Sequence, residues 1–295
     1  MKPIDRRSYL KILALATVSA FHTSTFAKLS STGPIRALRE LEKRHHGRLG
    51  LVALDQSTGQ SIVYRAQEAF PFCSTFKVLV ASAALKLSES EPKFLEERIA
   101  IKPEDILSYS SQAEKNVNSS MAIADLCAAT LQHSDNAAAN LLMKRLGGLD
   151  AINRWAHQLG DSSFQLDRWE TDLNSAIPGD PRDTVTPLGM AQSLQKLCLG
   201  DALKAETRAL LNQWMLGNQT GATRIRAGVQ NGWKVADKTG SGAYGTTNDI
   251  GVIWTPQDKP IVLAIYFTQK SRSADPKSEV IAAATRLVVQ HLHLA

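Results

Sequence analysis

The spacing of apolar positions changes twice along this chain. Ile35, Leu38 and Leu41 follow Pro34 at helical spacing, which predicts a short amphipathic helix with Gly47 as its stop. Residues 48–54 and 61–65 read as strands around a Ser57-Thr58-Gly59-Gln60 turn, a hairpin. From about residue 70 to residue 215 the β-branched runs disappear, and Ala, Leu, Ser and Asp dominate a succession of capped helices. Thr186-Pro187 before residues 188–199 is one such start, a capping hydroxyl followed by proline at the first helical position. After Gly232 strand texture returns at 233–238, 249–254 and 261–268, and an amphipathic helix over about 278–291 closes the chain.

Strand-bearing sequence therefore lies at both ends and helical sequence in the middle. The predicted fold class is α+β: a five-stranded antiparallel sheet flanked by the terminal helices, with an all-α insertion. Residues 28–66 and 216–295 would form the sheet domain and residues 67–215 the helical one, with a cleft between them.

With 43% hydrophobic and 21% charged residues among 295, the composition is ordinary for a globular protein. Residues 1–27 look like an export signal: Lys2, Arg6, Arg7 and Lys11 precede an apolar stretch over 12–21, and Thr25-Phe26-Ala27 resembles a cleavage site. The apolar stretch is too short to span a bilayer. Arg6-Arg7 within Asp5–Lys11 resembles a twin-arginine signal, so the mature chain is expected in the periplasm or outside the cell. Without that segment the formal charge falls from +6 to +3. No basic run interleaved with aromatics points to nucleic acid. Cys73, Cys127 and Cys198 form no CxxC, and the histidines lack zinc-site spacing, so no metal or other cofactor is expected.

Four segments carry candidate chemistry. Ser74-Thr75-Phe76-Lys77 puts a hydroxyl and an amine three residues apart, on one face of a helix. The spacing alone is weak, since it recurs at Ser8/Lys11, Ser90/Lys93 and Ser193/Lys196. Ser134-Asp135-Asn136 reads equally as a cap before a helix over 137–146. Lys238-Thr239-Gly240, followed by Ser241-Gly242, reads as the end of a strand and a turn. Arg168-Trp169-Glu170-Thr171-Asp172-Leu173-Asn174 alone would be a solvated acidic loop.

Taken in this order, the first three segments resemble those of the penicillin-interacting serine enzymes, and the resemblance runs over essentially the whole mature chain. The fourth resembles the Ω-loop (about 165–183) of class A serine β-lactamases. A DD-peptidase would keep the Ser74, Ser134 and Lys238 segments but lack the water-activating Glu170 and Asn174.

The resemblance implies that Ser74 opens the β-lactam amide of penicillins and cephalosporins to an acyl-enzyme, which a Glu170-activated water hydrolyses, conferring resistance. Lys77, Glu170 or both take the Ser74 proton, and Ser134 relays one to the leaving nitrogen. Backbone amides of Ser74 and Ser241 form the oxyanion hole. Lys238, Thr239, Gly240 and Ser241 bind the substrate carboxylate, Asn136 its side-chain amide, and Asn174 the water beside Glu170. Tyr109 walls the entrance. Arg224 supplies a second positive charge, with Arg226 the competing choice. The resemblance also implies an Arg168–Asp183 ion pair across the loop neck, a cis Glu170–Thr171 bond and three unbridged buried thiols. The expected partner is a small β-lactam, taken up by a monomer without stable membrane insertion.

Overall fold

The structure, a computed structural model, describes residues 32–293. The export signal predicted over 1–27 lies outside them. Helix α1 (Thr32–Arg44) leads into strands β1 (Arg48–Asp55) and β2 (Ser61–Tyr64), and the chain then leaves the sheet. A short strand β3 (Phe70–Pro71) and a 3-10 turn (Cys73–Phe76) precede α2 (Lys77–Ser88). The hairpin β4 (Arg98–Ile101) and β5 (Ser119–Ala122) is followed by α3 (Ile123–Gln132), α4 (Asn136–Leu146) and α5 (Leu149–Gln158). Next come β6 (Thr184–Val185), α6 (Pro187–Leu194), α7 (Ala205–Leu216) and the single turn α8 (Ile225–Gly228). Strands β7 (Lys234–Gly242), β8 (Thr246–Trp254) and β9 (Pro260–Thr268) return to the sheet before α9 (Ser278–His293).

The sheet is antiparallel throughout, in the order β2-β1-β9-β8-β7. Both of its faces are covered, which explains the unbroken apolar run of β9. Ile261, Leu263, Ile265 and Phe267 face the cluster formed with α1 and α9, while Val262, Ala264 and Tyr266 face the helical side. Helix α2 is buried nearly all round, and Val78, Leu79, Val80, Ala81, Ala84 and Leu85 make it the axis of the helical half. Among the described residues, no helix is long and apolar enough to cross a membrane.

The structure departs from the sequence pattern in three places. Strand β7 does not end at Lys238; it stays paired with β8 as far as Gly242↔Thr246, so the Lys-Thr-Gly segment lies inside the strand. Two short strand pairs, β3–β6 and β4–β5, interrupt the helical stretch; two to four residues are too few for an alternating pattern to stand out. The helix expected over 188–199 is α-helical only to Leu194 and ends in a π-helical turn, Gln195–Leu199. Its start is as predicted: the Thr186 hydroxyl accepts from the Gly189 amide at 3.1 Å.

Close approach of β7 and β8 makes Gly251 a stringent position. A Cβ there would stand 2.0 Å from the Ala236 carbonyl oxygen and 2.8 Å from the Asp237 Cα, both backbone atoms. Gly251→Ala is expected to lower stability by about 3 kcal/mol in urea titration, the upper range for overpacking. Gly33→Ala, where nothing lies within 4 Å of the added carbon, should leave the midpoint unmoved or raise it.

Candidate active site

A cleft of about 490 Å³ opens beside β7, the edge strand of the sheet, and Ser74 lies on its wall. Ser74 belongs to the 3-10 turn that runs directly into α2, so it precedes the α-helix by one turn instead of beginning it. The sheet fixes this turn: the Asn248 amide on β8 donates to the carbonyls of Pro71 at 2.8 Å and Phe72 at 3.1 Å. The Thr75 hydroxyl donates to the Phe72 carbonyl at 2.8 Å. Gly240 lets β7 lie against the turn, since a Cβ there would stand 2.7 Å from the Phe72 carbonyl oxygen.

One carboxylate oxygen joins the two groups of the first motif. Glu170 Oε1 accepts from the Ser74 hydroxyl at 3.3 Å and pairs with Lys77 Nζ at 3.0 Å, although these residues lie 96 and 93 positions away in sequence. The Lys77 and Glu170 side chains are fully buried. Lys77 also donates to the Ser134 carbonyl at 2.7 Å and to Asn136 Oδ1 at 2.6 Å. Three close acceptors match the three protons of an ammonium. Burial lowers the Lys77 pKa, and the Glu170 charge opposes that shift.

The second and third motifs meet across the cleft. Lys238 Nζ donates to Ser134 Oγ at 3.0 Å and to the Thr239 carbonyl at 2.8 Å. Burial, reinforced by the nearby Lys77 charge, holds the Lys238 pKa well below the usual lysine value. Within the triplet read as a cap, Asp135 is the capping residue and the helix begins at Asn136, with Asp135 Oδ1 accepting from the Ala138 amide at 2.9 Å. Its other oxygen accepts from the amides of Gln112 at 2.9 Å and Ala113 at 3.0 Å, tying the loop that carries Tyr109 to the helix. Asn136 Nδ2 donates to the Ser108 carbonyl at 2.8 Å. Tyr109 is 69% exposed and forms part of the cleft wall.

Glu170 is held from two sides. At the loop neck Arg168 Nε meets Asp183 Oδ2 at 2.5 Å, and Asp183 Oδ1 accepts from the amides of Asp167 at 2.8 Å and Arg168 at 3.0 Å. The Glu170–Thr171 bond is cis. Asn174 Nδ2 donates to Glu170 Oε2 at 2.6 Å, while Asn174 Oδ1 is buried without a protein partner. On α4, Asn140 brackets the Glu170 backbone, donating to its carbonyl at 2.9 Å and accepting from its amide at 3.1 Å.

At the far end Arg224, not Arg226, faces the cleft. Its guanidinium donates to Ser241 Oγ at 2.6 Å and to the carbonyls of Gly240 at 2.8 Å and Asn248 at 2.7 Å. Arg226 is committed to buried Asp237, its Nη2 lying 2.7 Å from Asp237 Oδ1. Thr239 shares the cleft wall with Thr220, their hydroxyls 2.5 Å apart. All three cysteines are free and buried, and burial pushes the Cys198 thiol up to about 12.

The structure thus brings all twelve predicted residues to one cleft or its immediate floor. Asn140, Asn248 and Thr220 were not singled out from the sequence. Asn140 had a signal, being one helical turn beyond Asn136; the other two had none.

A profile of the β-lactamase enzyme family matches residues 34–292. The chain is 48% identical to β-lactamase Toho-1 of Escherichia coli over 96% of this chain and 97% of that protein. It is 47% identical to β-lactamase OXY-2 of Klebsiella oxytoca over 97% and 99%, respectively. Among solved structures, a β-lactamase from Desulfarculus baarsii superposes with a TM-score of 0.89 at 48% identity, covering 91% of this chain and all of that one. One from Burkholderia ambifaria gives 0.85 at 47% identity, over 87% and 98%.

Removing Arg168 would leave the Asp183 carboxylate, 1% exposed, with two amide donors and no counter-charge. Arg168→Ala is expected to cost about 3 kcal/mol or more, as for other broken buried pairs. Limited proteolysis should then cut first between residues 165 and 183. A cleavage pattern identical to wild type would show that the pair does not hold the loop.

Proposed function

We propose a reaction path from one premise: the chain belongs to the β-lactamase enzyme family and is a class A serine β-lactamase. It hydrolyses the β-lactam amide of penicillins and cephalosporins through an ester on Ser74. The observation that carries this reading is the Glu170 oxygen shared by the Ser74 hydroxyl and the Lys77 ammonium.

Acylation begins with a proton transfer. Lys77 has three acceptors for three protons and no lone pair to offer, so Glu170 takes the Ser74 proton as Oγ attacks the lactam carbonyl carbon. The backbone amides of Ser74 and Ser241 receive the developing oxyanion, each worth about 3 kcal/mol in such sites. Lys238 donates to Ser134 Oγ, which turns the Ser134 proton away from Lys238 and frees it for the leaving ring nitrogen. As the C–N bond breaks, Ser134 gives that proton and takes one from Lys77. Glu170 then passes its proton to Lys77, and the carboxylate is ionised again.

Deacylation uses the same carboxylate. The Asn174 amide holds Glu170 Oε2 through its Nδ2 and leaves its Oδ1 unpartnered; a water donating to that oxygen and to Glu170 would turn a lone pair toward the ester. Glu170 takes a proton from this water, oxygen bonds to the ester carbon, and Ser74 Oγ leaves with that proton. Lys238, Thr239, Gly240, Ser241 and Arg224 form the substrate carboxylate subsite, Asn136 holds the side-chain amide, and Tyr109 covers the entrance. The reaction protects a cell when the enzyme meets the drug before its target. The charged and apolar pattern of residues 1–27 supports export by the twin-arginine route to the periplasm or beyond, where the enzyme acts as a monomer.

In Glu170→Gln the Lys77 amine loses its counter-charge, and burial favours the neutral base that accepts the Ser74 proton. Acylation therefore continues while deacylation falls by about three orders of magnitude, the middle of the range for loss of a general base. Intact-protein mass spectrometry should find the β-lactam added on Ser74. Turnover equal to wild type would remove Glu170 from the mechanism.

A further inference from the structure

Thr239 is connected through a chain of side chains to a buried carboxylate, and donor counting restricts where the protons along it can lie. Asp237 is fully buried, and its Oδ1 accepts from Arg226 Nε at 2.8 Å. Its Oδ2 accepts from Asn218 Nδ2 at 2.7 Å. Asn218 Oδ1 accepts from the Thr220 backbone amide at 2.9 Å and from the Thr220 hydroxyl at 2.8 Å. A backbone N–H only donates and a carboxylate only accepts, so the Asn218 amide has one permitted orientation. While the 2.8 Å bond to Asn218 Oδ1 is made, the Thr220 hydroxyl spends its single proton there. The 2.5 Å contact between Thr220 and Thr239 leaves Thr239 as the donor. In the empty cleft, therefore, both hydroxyl protons run away from the substrate and toward Asp237.

This orientation is wrong for a carboxylate, which needs a donor. We propose that Asn218 and Thr220 are positioning residues that set the Thr239 hydroxyl, and that an anionic substrate binds by reversing both hydroxyls together. The proposal rests on the reading that Thr239 belongs to the carboxylate subsite. In the reversed state Thr239 donates to the substrate and Thr220 donates to Thr239. Asn218 Oδ1 keeps the Thr220 amide, so no buried group is stranded. The two hydroxyl bonds of the empty state become two in the bound state, and the Thr220 proton polarises Thr239 into a stronger donor.

Thr220→Val keeps the shape and removes the hydroxyl. With a cephalosporin acid as substrate, its KM should rise about fivefold, the loss of one ordinary hydrogen bond, with kcat unchanged. The methyl ester of the same cephalosporin should show no change in KM, and Thr220→Ser should restore the wild-type values. In Asn218→Asp two carboxylates face each other and share a proton; as pH rises and that proton leaves, KM for the acid should climb while KM for the ester stays flat. A KM change of equal size for acid and ester in Thr220→Val overturns the relay. So does an unchanged KM ratio in Thr220→Val beside a lowered preference for the acid in Thr239→Val. An unchanged ratio in both variants overturns the subsite assignment as well.

Discussion

A lysine and a glutamate with no solvent exposure meet at 3.0 Å beneath the cleft, and much of the helical half is arranged so that they do. Neither charge is tolerable alone at that depth; removing one partner of such a pair costs about 3 kcal/mol or more. Lys77 arrives on α2, a helix buried nearly all round, and Glu170 arrives on a loop whose neck is closed by Arg168 and Asp183. Asn140 and Asn174 then hold the glutamate by its backbone and its second oxygen. The pair leaves Glu170 Oε1 beside the Ser74 hydroxyl, so one constraint serves both the fold and the proposed proton transfers.

The fold was legible where burial imposes a repeating pattern. The strands β1, β2, β8 and β9 and the terminal helices fall within a few residues of their expected bounds, because each must present a continuous apolar face. The error at β7 has a physical source. Gly240 and Gly242 read as a turn, yet here glycine serves close approach of the strand to the Ser74 turn. The two short strand pairs were invisible because two to four residues are too few for an alternating pattern to stand out.

The site was legible in its motifs and opaque in its supports. Ser74, Lys77, Ser134, Glu170 and Lys238 sit in segments whose order resembles a known family, whereas Asn248 and Asn140 act on the backbone of other segments. Such contacts leave no local trace: Asn248 meets carbonyls more than 170 positions earlier. The choice between Arg224 and Arg226 likewise needed the fold. Two residues apart on a tight turn, they diverge because Asp237 claims one and the carbonyls of β7 and β8 claim the other.

Charge is divided along the cleft in a way that suits its proposed substrate. At the Ser74 end, the Lys77 cation is cancelled by Glu170, so that end can pass protons without a large net field. At the Arg224 end, burial lowers the proton affinity of both Arg224 and Lys238. Among the described residues Lys238 makes no ion pair within 4.0 Å, and Arg224 bonds only to neutral oxygens and hydroxyls there. Asp237 and Asp249 act on both cations only from beyond contact distance, and a carboxylate entering between them would supply a direct partner and stabilise their protonated forms. The anion of the substrate would thereby complete an electrostatic arrangement that the fold leaves open, while the reacting amide is left to the neutralised end.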